Sequence, residues 1–347
     1  MSNLLYIHIP FCDSKCNYCS FNSYTNLNHL KKEYFNALKI DFLNEIKKVS
    51  LSLETIFIGG GTPSTMDITF YENLFNLLLP YIKNVKEITI EANPNVSFNW
   101  LKEIKNFGVN RISFGVQSFN DEKLKFLNRN HSSKLAISSI ENAKKAGFNN
   151  ISLDLIYSTS LDNKKLLLKD LKIVFSLPIT HISAYSLTIE ENTKWENDFS
   201  KQKKDEELEI WFINKIKEKF NQYEISNFGK ICEHNLNYWE RKEYIGIGAG
   251  AIGFKKEIRY YSQKDLYKYI KNPTKKDDEK LSATDIKIEK IFLGLRSIVG
   301  FDKSILNEKE IKKVESLIKD KKLIQKNSKI YSTNFLLADA ITSYILE

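Results

Sequence analysis

No apolar run in this chain approaches the roughly 18 residues that a membrane-spanning helix needs, so an integral membrane protein of the helical kind is not expected. Cysteine is scarce, with four in 347 residues, and there are only two methionines and five histidines. Four cysteines, three of them bunched and one distant, make a poor disulfide framework, and a reducing compartment would leave the thiols free for metal. Residues 1–9 run straight into a strand-like pattern with no basic leader or cleavage site. A cytoplasmic protein is therefore expected. No internal repeat is visible beyond an alternation of strand and helix patterns, and there is no low-complexity tract.

What is present points to a large packed core. Hydrophobic residues make up 42% of the chain, enough for one large domain and a smaller one. The net charge of +9 is spread as lysines interleaved with acids along helical stretches such as 201–219. That is the pattern of a solvated face, not of a basic stripe with aromatics, so no nucleic-acid partner is expected.

Short β-rich runs at 4–9, 55–59, 87–92, 111–115, 151–157 and 181–187 alternate with helical patterns at 30–48, 71–81, 100–107, 134–146, 164–175 and 206–220. Six βα units predict a parallel sheet with helices outside it, an α/β fold curled into an open partial (β/α)6 barrel. The chemistry of such a fold belongs just beyond the carboxyl ends of the strands. The unusual residues fall there: three cysteines after the first strand, Gly59-Gly60-Gly61-Thr62-Pro63 after the second, Glu91 and Asn93-Pro94 at the third, Gln117 at the fourth and Asp154 at the fifth. After 220 the pattern changes. The expected organisation is a barrel over 1–222, a connecting region over 223–271 facing a cofactor, and a small α-rich, winged-helix-like domain over 272–347. Within it, 272–280 reads as a charged linker and 326–332 as a hairpin.

The cysteine spacing is Cys12-x3-Cys16-x2-Cys19. Structural zinc usually takes four protein ligands in two close pairs, and a cubane iron–sulfur cluster normally takes four thiolates. Three thiolates in one loop leave one iron open to a small chelator such as the amine and carboxylate of an amino acid. A zinc ion completed by a distant histidine or by Cys232 is the competing reading. The glycine run lacks the Lys-Ser/Thr that a phosphate cradle would need, but glycines let a ligand come close to backbone amides and carbonyls. Glu91, Gln117, Arg129 and Asp154 supply carboxylates, an amide and a guanidinium, each of which could equally be a surface or capping group.

Tyr6-Ile-His-Ile-Pro-Phe-Cys12, followed by x3-Cys-x-Tyr-Cys, resembles the radical S-adenosylmethionine superfamily. Within it the resemblance is to the oxygen-independent coproporphyrinogen III oxidases and the related HemW haem chaperones, and it covers essentially the whole chain. The resemblance implies a [4Fe–4S] cluster on Cys12, Cys16 and Cys19. It implies S-adenosylmethionine held by Tyr6, Tyr18, Phe21, Gly60, Gly61, Thr62, Pro63, Glu91, Gln117, Arg129, Asp154, Thr188 and Ile252. The oxidases carry a further cysteine two positions after the third, where this chain has Phe21. HemW-like chains carry His-Asn-x-x-Tyr-Trp, which stands here as His234, Asn235, Tyr238 and Trp239. A haem chaperone is thus implied, with haem on that motif and haem-acceptor proteins as partners. An electron donor such as flavodoxin or ferredoxin is implied if radical chemistry occurs, and membrane association only through acceptors. The alternative is a coproporphyrinogen oxidase, which would make the chain an enzyme. Cys232 reads as a buried structural thiol.

Overall fold

The computed structural model describes residues 4–47 and 52–347. Position 48, where the sequence pattern placed the end of the first helix, lies outside the described residues, as do 1–3.

Six strands form the expected alternation with helices: β1 (Leu4–Ile9), α1 (Lys31–Ile46), β2 (Thr55–Gly60), α2 (Ile68–Leu78), β3 (Glu87–Ala92), α3 (Phe98–Asn106), β4 (Arg111–Gln117), α4 (Asp121–Phe126), α5 (Ser133–Lys145), β5 (Ile151–Tyr157), α6 (Lys164–Val174), β6 (His181–Ser186) and α7 (Glu206–Lys217). β1 to β6 pair in sequence order and all in parallel. Polar caps start the outer helices. Asp67, Ser97, Asn120, Ser132, Asn163 and Asp205 each accept a hydrogen bond from a first-turn amide, which satisfies a donor the helix itself cannot pair.

Alternation along the strands sorts the side chains. Leu5, Ile7 and Ile9, Ile56 and Ile58, Ile88 and Ile90, and Ile112 and Phe114 join the main core under the helices. The intervening positions face inward and are largely polar: Tyr6, His8, Glu87, Thr89, Glu91, Arg111, Ser113, Ser152, Asp154, His181 and Ser183. A parallel sheet covered on both faces is usually apolar on both. This polar inner face marks a lumen.

The sheet continues past the sixth strand. β7 (Asn227–Gly229) pairs antiparallel with β6. A short helix, α8 (Glu233–Trp239), then leads into β8 (Tyr244–Ile247), which lies parallel to β1 on its free side. β9 (Ile252–Lys255), β10 (Ile258–Ser262), the helix α9 (Leu266–Lys271) and β11 (Lys276–Lys280) follow, the strands extending that edge as an antiparallel meander. The result is one eleven-stranded sheet, open between β7 and β11.

The stretch 272–280, read from sequence as a linker, therefore contains a paired strand. Lys276–Lys280 is charged throughout and shows no apolar alternation. It is held by its backbone ladder to β10, by Arg259 against Glu279, and by one buried contact. Lys276 Nζ lies 2.8 Å from the Asp41 carboxylate of α1, which also accepts from Gly248 N at 3.1 Å and the Tyr269 hydroxyl at 2.8 Å.

Beyond Lys280, α10 (Ala283–Leu295), β12 (Phe301–Asp302), α11 (Glu308–Lys319), β13 (Leu323–Lys326), β14 (Lys329–Ser332) and α12 (Ala338–Leu346) build a winged-helix-like unit. Its own core includes Ile291, Leu295, Val314, Leu323, Ile330 and Ile341. β13 and β14 form the hairpin. Ile225 N bonds to Arg296 O and Ile298 N to Tyr223 O, docking this unit on the β6–β7 edge.

Asp41 is fully buried and the Lys276 side chain nearly so. Lys276→Met leaves a buried carboxylate without its cation, so urea unfolding should show a loss of about 3–5 kcal/mol. A loss below about 0.5 kcal/mol, the size of an ordinary surface change, would mean that β11 is not anchored in this way.

Candidate functional site: a cavity at the carboxyl ends of the strands

The loop that leaves β1 folds back on itself. Cys12 N donates to Tyr24 O at 3.0 Å and Tyr24 N to Pro10 O at 2.8 Å. Inside that closed turn lie Cys16 and Cys19, with Lys15 Nζ bonded to Phe21 O at 2.7 Å and to Ser23 Oγ at 2.8 Å. The loop is tied down on both sides. Toward α4, Asn17 Nδ2 donates to Phe126 O and Asn128 Nδ2 to Lys15 O. Toward β8, Asn22 Nδ2 donates to Ala249 O and Lys264 O, while Asn22 O accepts from His8 Nε2.

Below the loop is a cavity of about 380 Å³, at the small end of ordinary ligand pockets. Its wall includes Cys12, Cys16, Cys19, Tyr18, Phe21, Gly60, Gly61, Thr62, Pro63, Glu91, Gln117, Arg129, Asp154 and Thr188. Residues drawn from six strand ends thus converge, as a parallel barrel requires.

Local chemistry explains several positions. At Gly60 φ is +114°, and a Cβ there would sit 2.6 Å from the His8 ring; at Gly61 it would sit 2.7 Å from Phe11 O and 3.1 Å from Cys12 Sγ. The glycines let β2 lie against the start of the cysteine loop, and they leave the backbone open to the cavity. Thr62 Oγ1 donates to Cys12 Sγ at 3.3 Å. Gln117 has φ +71° beside a register shift between β4 and β5. A non-glycine residue in that region costs of order 1–3 kcal/mol and clusters at functional sites; here it turns the strand end toward the cavity.

Arg129 follows α4 and reaches across the cavity. Its Nη1 donates to Cys16 Sγ at 3.0 Å, and its Nη2 donates to Asn93 Oδ1 at 2.7 Å and Gly115 O at 2.6 Å, while its buried Nε has no partner. A guanidinium with an unmatched donor suits an incoming carboxylate. Glu91 accepts from Gly60 N at 3.2 Å. Burial, and then the neighbouring Asp154 charge, push its carboxyl up to about 8. Burial likewise lifts Asp154 to about 6, opposed by Ser183 and Arg111. Burial also raises the Cys12 and Cys19 thiols, with Lys15 acting the other way on both.

Two residues expected in the pocket are absent from its wall. Tyr6 sits three residues before the end of β1, a layer deeper in the lumen, where its hydroxyl bonds to His8 Nδ1 at 2.9 Å. Ile252 opens the antiparallel β9 and stands 37% exposed. Phe21, expected as a cover, lines the mouth but is itself 65% exposed. Asn93, noted from sequence only as part of the Asn-Pro pair at a strand end, and Tyr185, not singled out from sequence, both line the cavity. No local pattern marked Tyr185.

The small-residue run 246–253 is a packing device. A Cβ on Gly246 would overlap Ile252 O at 1.9 Å, and one on Gly253 the Tyr260 ring at 1.9 Å, so close packing against β9 and β10 requires glycine at both positions.

The His-Asn-x-x-Tyr-Trp motif lies elsewhere. It forms α8 at the amino ends of the strands, roughly 15–20 Å from the cysteine loop, the length of a six-residue strand. His234 is fully buried, with Nδ1 bonded to Thr55 Oγ1 at 2.7 Å and Nε2 to the Tyr238 hydroxyl at 2.8 Å. Burial, and then Arg111, hold its ring down to about 3. In this arrangement neither ring nitrogen is available to a metal. Cys232 is buried beside it, its Sγ donating to Glu87 Oε1 at 3.2 Å.

Residues 6–162 match the family model described as the radical SAM superfamily. The heme chaperone HemW of Bacillus subtilis is 36% identical over 90% of this chain and 88% of its own. The protein of the same name from Escherichia coli is 38% identical over 72% and 69%. The chain belongs to the HemW-like branch of the radical SAM superfamily. Coproporphyrinogen III oxidase (HemN) of Escherichia coli shares the fold, with a TM-score of 0.82 over 99% of this chain and 90% of that one at 20% identity.

Membership of this family implies a [4Fe–4S] cluster and S-adenosylmethionine, and the residues present fit both. Three free thiols line one cavity beside an unmatched guanidinium donor and a glycine-lined approach. Among the described residues no three His, Cys, Asp or Glu side chains converge on a single-ion site.

The Glu91 carboxyl gives this cavity a pH signature. Its folded value is raised, so between about pH 4.5 and 8 the folded chain holds a proton that the unfolded chain releases. Stability of the cluster-free protein should therefore fall as pH rises through that window. Glu91→Gln should flatten the dependence of Tm on pH; equal slopes in both proteins would remove Glu91 as its source.

Proposed function

We propose that this chain is a haem chaperone that keeps the radical SAM machinery and passes haem to acceptor proteins. What carries the reading is the combination of a three-cysteine cavity, Phe21 in place of a fourth cysteine, and 36–39% identity to proteins named heme chaperone.

In this reading Cys12, Cys16 and Cys19 hold the cluster. Arg129 grips the carboxylate of S-adenosylmethionine, and Glu91 and Asp154 bond its ribose hydroxyls. Gln117 offers its amide, and Gly60, Gly61, Thr62 and Pro63 face the methionine amine. Tyr18, Phe21 and Thr188 close the mouth. Held by the three cysteines, the cluster when reduced would supply the electron for reductive cleavage of the bound sulfonium. The protein's own part is to hold the ligand's charged ends and shed water, with Leu187, Ile156 and Trp195 packed beside Tyr18 as the apolar wall.

Haem is assigned to α8, with His234 as the iron ligand, Tyr238 and Trp239 as flat apolar faces, and Asn235 as an orienting amide. Iron on Nε2 would take the place of the Tyr238 hydroxyl, and the proton on Nδ1 would be left for an oxygen acceptor, the usual second partner of a ligating histidine. Because the resting ring is neutral down to about pH 3, no proton need leave it on binding in the ordinary range. An electron donor such as flavodoxin or ferredoxin is the expected redox partner if the sulfonium is cleaved. The oxidase alternative has the shared fold behind it, and a fold alone does not carry an activity.

His234→Ala should weaken haem binding at least tenfold while the iron–sulfur absorption of anaerobically reconstituted protein is unchanged. Cys16→Ala should do the reverse. Loss of both chromophores with either change, or turnover of coproporphyrinogen to protoporphyrinogen by the reduced protein, would overturn the assignment. Haem affinity should be level between pH 5 and 8, whereas an exposed histidine ligand would lose affinity below about pH 6.5.

A further inference from the structure

The floor of the lumen is a closed set of polar contacts centred on one carboxylate. Glu87, the first residue of β3, is 4% exposed. Its Oε1 accepts from Cys232 Sγ at 3.2 Å and from His234 N at 3.1 Å, and its Oε2 accepts from Glu233 N at 3.1 Å. Those donors are the residue preceding α8 and its first two residues. α8 has no cap of its own, because Cys232 makes no side-chain capping bond to it. Glu87 supplies that cap from another strand.

Resting on that cap, the His234 ring is shut in from every side. Thr55 and Tyr238 occupy its two nitrogens. Phe57 lies 5.4 Å from it, ring to ring, and Tyr238 stands edge-on at 4.8 Å. An iron porphyrin can reach neither nitrogen unless α8 turns or moves away from β2 and β3. α8 meets the sheet through Glu87 at its start, through Thr55 and Phe57 at its histidine, and through Tyr244 of β8, whose ring lies 4.6 Å from that of Tyr238. Of these only Glu87 binds the backbone of the helix.

We propose that Glu87 is the positioning residue of the α8 motif: its carboxylate latches α8 against the floor of the barrel, and haem enters only when that latch opens. The inference rests on the reading that His234 binds haem, and it adds an equilibrium to it. The latched state hides the histidine; the released state exposes the Nε2 lone pair and the flat faces of Tyr238 and Trp239 together. Haem binding then draws on a minor population, so anything that weakens the latch raises the apparent association rate without adding a contact to haem.

Two measurements on the full-length protein test this. The first is hydrogen–deuterium exchange of the amides of 232–239 with and without haem. Haem should speed exchange at 233 and 234, the two amides that Glu87 holds, while amides on β2 and β3 are unchanged. The second is stopped-flow haem association for Glu87→Gln, which keeps the side chain's shape and removes its charge. Association should be roughly tenfold faster, with dissociation within about twofold, because a charge-assisted bond in the closed state alone has been weakened. The iron–sulfur spectrum should not change, since the cluster loop is at the other end of the strands. If His234→Ala loses haem while the two amides stay protected and Glu87→Gln associates at the unaltered rate, the latch is wrong and the haem site stands. If His234→Ala keeps full affinity, the site itself is wrong and the latch goes with it. Should Glu87→Gln fail to fold, the exchange experiment on the unaltered protein decides alone.

Discussion

All six central strands run the same way, and the placement of every group described above follows from that constraint. In a parallel sheet the carboxyl ends share one side and the amino ends the other. A loop leaving one strand is therefore a neighbour of the loops leaving all the rest. Cys12, Gly60, Glu91, Gln117 and Asp154 are far apart in sequence, yet Cys12 lies three residues past the exit of β1, Gly60, Glu91 and Gln117 lie within a residue of their strand's exit, and Asp154 lies at the midpoint of β5. Nothing else is needed to bring them around one cavity. Glu87 and Thr55 open their strands, so they are fixed at the opposite end by the same rule.

The inner face must then be tolerable as a buried surface. It carries ionisable groups from top to bottom, and a buried charge is affordable only when paired or hydrogen-bonded. The chain meets this in different ways along the lumen. Near the cavity, Glu91 and Asp154 hold their protons more tightly. In the lower part His181 sits between Ser152, Arg111 and the Tyr223 hydroxyl. At the floor, Glu87 takes three donors from α8. On the cavity wall, matching is less complete, and Arg129 keeps a buried Nε without a partner. The floor by contrast leaves Glu87 and His234 with their partners in place.

Much of this was legible beforehand, for reasons that can be traced residue by residue. The six strand runs are β-branched and apolar on alternate positions, and their observed limits fall within two residues of those expected, as at β4, which runs on to Gln117. The cysteine spacing and the glycine run are local patterns, so they read directly as a loop and a close approach. What sequence hid was set by distant partners. Lys276–Lys280 has no strand-like pattern because it is an edge strand held by cross-strand charge and by Asp41, more than two hundred residues earlier. Tyr6 and Ile252 fell outside the pocket because depth along a strand and the direction of β9 are tertiary facts. His234 was read as an available imidazole because a motif shows which side chains are present and not which hydrogen bonds they already make.

The separation of the two ends has a chemical consequence on the reading proposed here. A cluster and a porphyrin at one mouth would compete for the same 380 Å³, and each would alter the electrostatics felt by the other. Set a strand length apart, they communicate only through the polar lumen between them and through the strands that carry both. β2 and β3 are the direct carriers. β2 begins at Thr55 under His234 and ends at Gly60 beside the cysteine loop; β3 begins at Glu87 and ends with Glu91 and Ala92 on the cavity wall. A strand is stiff along its length, so a shift of α8 that pulls on Thr55 or Glu87 reaches Gly60 and Glu91 as a small displacement of backbone atoms that line the upper cavity. Any coupling between haem at the floor and the ligand above would have to take that route, since no side chain spans the distance.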